Sequence, residues 1–134
     1  MSACRRIGND PESTEWLLEL DQYDDYAMPF VITTGEGTVA DPELPMDCTG
    51  CEVIWEIRRF PTSPTVTATF TIDWTDIAVG EGNASIYVDI PCGKTPQDAA
   101  SQYFHHLILV DSLGHRRTIA KGPCLVNRGV PPSV

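Results

Sequence analysis

The sequence predicts an all-β fold: an antiparallel β-sandwich of about seven short strands with an extended N-terminal arm. Three observations predict it. Apolar and polar side chains alternate in Val53-Ile-Trp55-Glu-Ile57, in Val66-Thr-Ala-Thr-Phe-Thr-Ile72 and in Ile86-Tyr-Val88-Asp-Ile90, the period of a strand with one buried face. Eleven prolines and ten glycines in 134 residues supply many turns and leave little room for long helices. Tyr103 to Val110 is apolar on both faces and runs into Asp111-Ser-Leu-Gly114, and a second strand follows from Arg116 to Val126, as in a buried hairpin near the end of a sandwich.

Taken in order, residues 1–14 (rich in Ser, Asn, Asp, Pro and Glu) read as an arm outside the core. Trp16, Leu18 and Leu20 alternate with Leu17, Glu19 and Asp21 as a first strand, although Glu-Trp-Leu-Leu-Glu-Leu also fits one helical turn. Tyr26 to Thr33 is a second strand, with Pro29 placing it at an edge or a bulge. Residues 34–50 form a long loop. Val53, Trp55 and Ile57 face inward in the third strand, with Glu56 and Arg58 opposite. Val66 to Ile72 is one half-buried strand, with apolar residues on one face and threonines on the other. Gly80-Glu-Gly82-Asn83 turns the chain into a strand whose Ile86, Val88 and Ile90 point inward. Residues 91–101 connect to the closing hairpin, with one helical turn at Thr95-Pro-Gln-Asp-Ala-Ala. The sandwich spans residues 15–128, and 129–134 is a tail. The number and spacing of the strands are those of an immunoglobulin-like sandwich. Its core is expected around Trp55, Phe70, Val88, Leu107 and Leu109.

A chain of this length is one domain and buries a core without help from disulfides or metal. The net charge of −10 is unevenly spread. Residues 1–50 hold 11 acids and 2 bases, and residues 101–134 hold 1 acid and 4 bases. That asymmetry suits head-to-tail contacts between copies or an oppositely charged partner, and equally a plain solvated surface. Without a basic stripe, a chain this acidic is repelled by phosphates, so nucleic acid is not an expected partner. No stretch reaches the ~20 apolar residues of a membrane span. Met-Ser-Ala-Cys-Arg-Arg lacks the apolar run of a signal peptide, so synthesis in a cytoplasm without export by the general secretory route is expected.

Three segments together carry a family resemblance. Asp47-Cys-Thr-Gly50 followed by Val53-x-Trp55-x-Ile57-Arg58 resembles an Asp-Leu-Thr-Gly turn and a Val-x-Trp-x-Ile/Leu-Arg strand. Tyr103-x-His105-x-Leu107-x-Leu109-x-Asp111-x-x-Gly114 resembles a Tyr-x-Tyr-x-Leu-x-Val-x-Asp-x-x-Gly hairpin, and Thr118-Ile119-x-x-Gly122-x-x-x-Val126 resembles its closing strand. These are features of the small immunoglobulin-like domains of tailed-bacteriophage structural proteins, such as the N-terminal domain of upper baseplate proteins and its free-standing relatives. The resemblance covers residues 16–128. Cys48 stands where that group has an aliphatic residue and His105 where it has an aromatic, and the connections at 34–46 and 91–101 are longer. The resemblance implies a non-enzymatic virion component present in several copies.

The cysteines are Cys4, Cys48, Cys51, Cys92 and Cys124. Cys48-Thr-Gly-Cys51 has the spacing of half a zinc site, which Cys92 and Cys124 would complete, but a second knuckle is missing. A redox role would want the motif at a helix N-terminus that lowers the thiol pKa, whereas here it precedes a strand. The preferred reading makes all five candidates for disulfides, with Cys4 on the arm left to bond a neighbouring copy after the particle leaves the reducing cytoplasm. The alternative for Cys51, Cys92 and Cys124 is a small buried hydrophobe.

His105 and His106 point to opposite faces of one strand, so they do not ligate one metal together, and His115 lies in the turn. The acids at Asp21, Asp24, Asp25, Asp41, Glu43, Asp47, Asp73 and Asp76 do not follow calcium-loop spacing. G-x-S-x-G, H-E-x-x-H and the P-loop are absent, and Gly35-Glu-Gly37 and Gly80-Glu-Gly82 are turn glycines. No catalytic residue, cofactor, metal or small-molecule ligand is expected. Trp74, Tyr23, Tyr26 and Tyr87 are candidate interface anchors. The expected partners are other copies of the chain and other virion proteins on a head, neck or tail component, without membrane contact. Two rivals stand beside this reading. One is a carbohydrate- or host-receptor-binding adhesin module, which would gather exposed aromatics and acids at one loop end. The other is a small redox or zinc-binding protein using Cys48 and Cys51.

Overall fold

The structure, a computed structural model, describes residues 5–8, 14–35, 38–91 and 100–130. The strands in chain order are β1 (Arg5–Gly8), β2 (Thr14–Glu15), β3 (Leu18–Asp21), β4 (Asp25–Thr34), β5 (Leu44–Pro45), β6 (Glu52–Arg58), β7 (Val66–Thr69), β8 (Thr71–Asp76), β9 (Glu81–Tyr87), β10 (Ala100–Val110) and β11 (Arg116–Asn127). Among the described residues one 3-10 turn, Ile77–Val79, occurs, and it precedes β9.

The protein is an all-β sandwich. One sheet runs β1-β4-β9-β8, with β5 on the end of β4, and the other runs β2-β11-β10-β6-β7, with β3 beside β11. The core lies between them: Phe30, Ile32, Ala84 and Ile86 from the first sheet meet Val53, Trp55, Ile57, Leu107, Leu109 and Val126 from the second. The residues expected at the centre (Trp55, Phe70, Val88, Leu107 and Leu109) are all buried to 3% exposure or less. Trp55 stacks on Phe70 at 4.6 Å and meets Trp16 edge-on at 5.6 Å, which adds aromatic contact energy to the area it buries.

Both sheets are mixed, not purely antiparallel, because the N-terminal segment pairs in parallel with each in turn. β1 lies along Phe30–Thr33 of β4, while β2 and β3 lie along β11. This corrects the expected arm at 1–14. Residues 5–8 are a strand with Ile7 fully buried, since one apolar side chain facing the core is enough to seat four residues on an open edge of β4. Residues 1–4 and 9–13 lie outside the described residues. So do 92–99, which include Cys92 and most of the expected helical turn, and the tail residues 131–134.

Three other expectations change. Val66 to Ile72 is not one strand. It pairs with β6 up to Thr69, turns at buried Phe70, and continues as β8 in the other sheet; Ala68, Phe70 and Ile72 keep the alternation while the partner changes, and Val66, expected on the apolar face, is exposed. The turn before β9 is Ile77–Gly80, where Gly80 takes φ 67°; Gly82 and Asn83 are already strand residues opposite Phe30 and Pro29. Pro29 sits inside β4 but beyond the reach of β1, so its missing N–H faces no neighbouring strand on that side.

The closing hairpin carries a bulge. Leu107 pairs with Ala120 but Ile108 with Thr118, which leaves Ile119 as the extra residue. Ile119 and Ala120 are both fully buried, although they are consecutive in the chain. At Gly122 an added Cβ would lie 2.1 Å from the Trp16 carbonyl oxygen, so only glycine lets the N-terminal segment approach β11 this closely.

Candidate functional site

The side chains that chemistry would draw on are mostly spent on the fold. His105 is fully buried on the inward face of β10. Its Nδ1 accepts a hydrogen bond from Trp55 Nε1 at 3.1 Å, and its Nε2 lies 2.9 Å from the Trp16 carbonyl oxygen. An indole N–H only donates and a carbonyl only accepts, so the pair of contacts defines the neutral tautomer with the proton on Nε2. The ring thereby ties the segment before β3 to the centre of the sheet. Nothing in the spacing announces this bond, although His105 falls in the inward series Tyr103, His105, Leu107, Leu109.

The Cys48–Cys51 motif is a tight turn. Asp47 Oδ1 accepts from the Thr49 backbone N–H at 3.0 Å and from Thr49 Oγ1 at 2.6 Å, and these bonds hold its carboxyl below the usual carboxylate range. Cys51 N donates to Cys48 O at 2.8 Å, and Cys48 N donates to Ile77 O at 2.9 Å. The second bond pins the turn to the other sheet and drives the Cys48 side chain into the core. Burial, with Cys51 and Asp47 beside it, pushes the Cys48 thiol up to about 11. Burial alone pushes Cys124, on the inward face of β11, up to about 12. Both are the reverse of an activated thiol. Cys48, Cys51 and Cys124 are free thiols, and only Cys51 among them is partly exposed. Cys4 and Cys92 lie outside the described residues. Among the described residues no three His, Cys, Asp or Glu side chains gather as a metal site, and no helix is long and apolar enough to cross a membrane.

The aromatic residues expected as anchors divide. Trp74 is half-buried and meets Phe30 edge-on at 5.9 Å, so it packs on the core. Tyr26 is half-buried, and its hydroxyl oxygen accepts from Asp21 N at 2.7 Å. Tyr23 is half-buried in a turn at φ 72°. Tyr87 remains exposed, and with Asp25, Tyr26, Thr71 and Ser85 it lines a shallow depression on the outer face of the first sheet.

The outer face of the second sheet carries no motif that marks it in the sequence. Its cross-strand rows are Arg58–Phe104–Pro123, Glu56–His106–Lys121, Ile54–Ile108–Thr118 and Glu52–Val110–Arg116, over β6, β10 and β11. Ile108 is only 7% exposed but stands apart from the inter-sheet core. Phe104, Ile54 and Val110 are half-buried beside it. Glu56 pairs with Arg58 at 3.1 Å. His106 is pushed below the usual histidine range by burial first and then by Arg58, with Lys121 adding to this and Glu56 opposing it.

No family model matches the sequence, and no curated protein matches it. Among solved structures, a chain from the structure of PbICP-C in complex with falcipain-2 is similar at a TM-score of 0.41 and 9% identity, covering 93% of this chain and 99% of that one. A likeness of that degree carries no argument about function.

Proposed function

We propose that the chain is a non-enzymatic structural module with an immunoglobulin-like sandwich, assembling in several copies on the particle of a tailed bacteriophage. The observation that carries this reading is where the three resembling segments fall. Asp47–Arg58, Tyr103–Gly114 and Thr118–Val126 contribute β6, β10 and β11, adjacent strands of one sheet, so the resemblance belongs to one packed unit. Strand order supports the immunoglobulin-like part. The order β11-β10-β6-β7 opposite β4-β9-β8 corresponds to the G-F-C-C′ and B-E-D sheets of a variable-type domain. Tyr103 donates its hydroxyl to the Pro91 carbonyl at 2.6 Å, as a tyrosine corner does, and Trp55 fills the place of the buried strand-C tryptophan. Two residues past the tyrosine, where antibody domains carry a disulfide cysteine, stands His105.

The non-enzymatic part rests on the buried neutral histidine and on thiols whose ionisation burial opposes. Cross-links between copies would have to use Cys51, Cys4 or Cys92, because Cys48 and Cys124 are fully covered. The test is mass spectrometry of purified particles produced by the encoding genome, with gels run with and without reductant. The expected result is this chain at several copies per particle, and its absence from intact particles would overturn the reading. The depression beside Tyr87 and Asp25 favours a second reading, receptor binding, which a glycan array with the purified chain checks directly.

A further inference from the structure

We infer that the outer face of the β6-β10-β11 sheet is a self-association surface whose occupant is a second copy of the same face. The inference rests on the multi-copy part of the proposed function and names the surface that serves it.

A sheet in a sandwich needs one apolar face. This one has two. The inward series Tyr103, His105, Leu107 and Leu109 closes the core, and the outward series Phe104, His106, Ile108 and Val110 is nearly as apolar. Ile54 adds to it from β6 and Pro123 from β11. The charge pattern selects the occupant. In two rows the acid lies on β6 and the base on β11, with β10 between: Glu56–His106–Lys121 and Glu52–Val110–Arg116. Let two copies face each other about a two-fold axis lying in the interface along β10. Each β6 then lies over the partner's β11 at the same height along the strand. The exposed row becomes complementary twice over, Glu52 of each copy against Arg116 of the other, while Glu56, buried and already paired with Arg58, adds little. A pattern that complements its own two-fold image is what an isologous contact requires. At the centre the two His106 rings approach each other. Burial, Arg58 and Lys121 favour the neutral ring, which suits a desolvated middle.

Size sets the expected strength. Three strands about 4.8 Å apart and about 20 Å long offer roughly 300 Å² per copy, or about 600 Å² in total, well under the roughly 1,000 Å² of a stable specific interface. The dimer is therefore weak in solution and is strengthened where copies are held side by side in an assembly.

Sedimentation velocity on the whole chain tests this, under reductant so that thiols do not cross-link and at near-physiological salt, where repulsion between two chains of charge −10 is screened. The wild type is expected to dimerise weakly, its mean sedimentation coefficient rising with concentration up to about 1 mM, as suits so small an interface. Glu52→Arg and Arg116→Glu alter exposed positions and leave the core alone. Each alone is expected to weaken dimerisation by about tenfold or more, since each sets like charges opposite one another twice. An equimolar mixture of the two is expected to regain a heterodimer, in which the exposed row is again complementary on both sides of the axis. A wild type that stays monomeric, variants that dimerise like the wild type, or a mixture that stays monomeric would each overturn the inference. Particle composition is a separate readout. A dimer absent from particles removes the virion reading alone, and a monomer present on them removes this face alone.

Discussion

The Cys124 thiol offers a measurement that separates a buried structural cysteine from a reactive or oxidised one. It is fully covered on the inward face of β11, and burial pushes its pKa from 9.0 up to about 12. A raised pKa means that the folded state holds a proton the unfolded chain gives up. The stabilisation is complete below pH 9, fades as the pH rises past 9, and is gone by about pH 12. At about pH 10.5 the unfolded thiol is ionised 1.5 units past its midpoint while the folded one stays neutral, a loss of about 2 kcal/mol at 1.36 kcal/mol per unit. Lysines and tyrosines also titrate there, so the quantity to measure is a difference. Urea unfolding under reductant gives the stability change from about pH 7.5 to 10.5 for the wild type and for Cys124→Ala. The wild type should lose about 2 kcal/mol more than the variant. Equal losses would refute the reasoning, because they mean the thiol is solvated when folded or already committed to a bond.

Three further outcomes come from the geometry. His105→Leu removes the bond from the Trp55 N–H and the bond to the Trp16 carbonyl, and should cost about 2–4 kcal/mol, seen as a lower urea midpoint at unchanged slope; a loss under about 0.5 kcal/mol would contradict the hydrogen-bonded role. Gly122→Ala places a methyl against the Trp16 backbone, and should cost about 3 kcal/mol and raise amide exchange at Leu18 and Leu20, whereas unchanged exchange would mean that β3 does not depend on the close approach. Burial first and then Arg58 lower the His106 pKa in the folded chain, so its contribution is present above the ordinary histidine pKa of about 6.5 and is lost as pH falls below it. His106→Gln should therefore flatten the fall in melting temperature between about pH 7 and pH 5, and a parallel fall in both proteins would rule that contribution out.

The strands most plainly read from the sequence share one property, a long alternation that marks them whatever their partner. Val53, Trp55 and Ile57 and the hairpin from Tyr103 to Val126 are of this kind, and they form the middle of one sheet. β1 is illegible because four residues with one buried side chain, Ile7, make no periodic signal; its place is set by the open edge of β4 more than 20 residues further on. Val66 to Ile72 shows a different limit. Period two says which side of a strand is buried and nothing about which sheet it joins, so the change of sheet at Phe70 leaves no mark. The glycines at 80–82 mislead for a related reason. Gly80 turns the chain with a positive φ, whereas Gly82 belongs to β9, where the Phe30 ring fills the space a side chain would occupy. The cysteine motif is visible as spacing, but its chemistry is not, because the Cys48 thiol is governed by its burial in the core, which spacing does not show.

β10 shows how one strand serves two ends. His105 and His106 are neighbours in the chain, and the pleat sends them to opposite faces. Inward, His105 accepts from one tryptophan ring and bonds the backbone of another, and so fixes how the N-terminal segment lies on the core. A polar group there is specific because a shifted register would strand its partners unpaired. Outward, His106 sits among Glu56, Arg58 and Lys121 beside Phe104 and Ile108, on a face more apolar than solvent alone would call for. Stability of a single domain accounts for the first arrangement. It accounts less well for the second, since the parts of Phe104 and Ile54 left in water contribute nothing to folding and invite association. Cover by another copy accounts for both the apolar centre and the division of charge between β6 and β11.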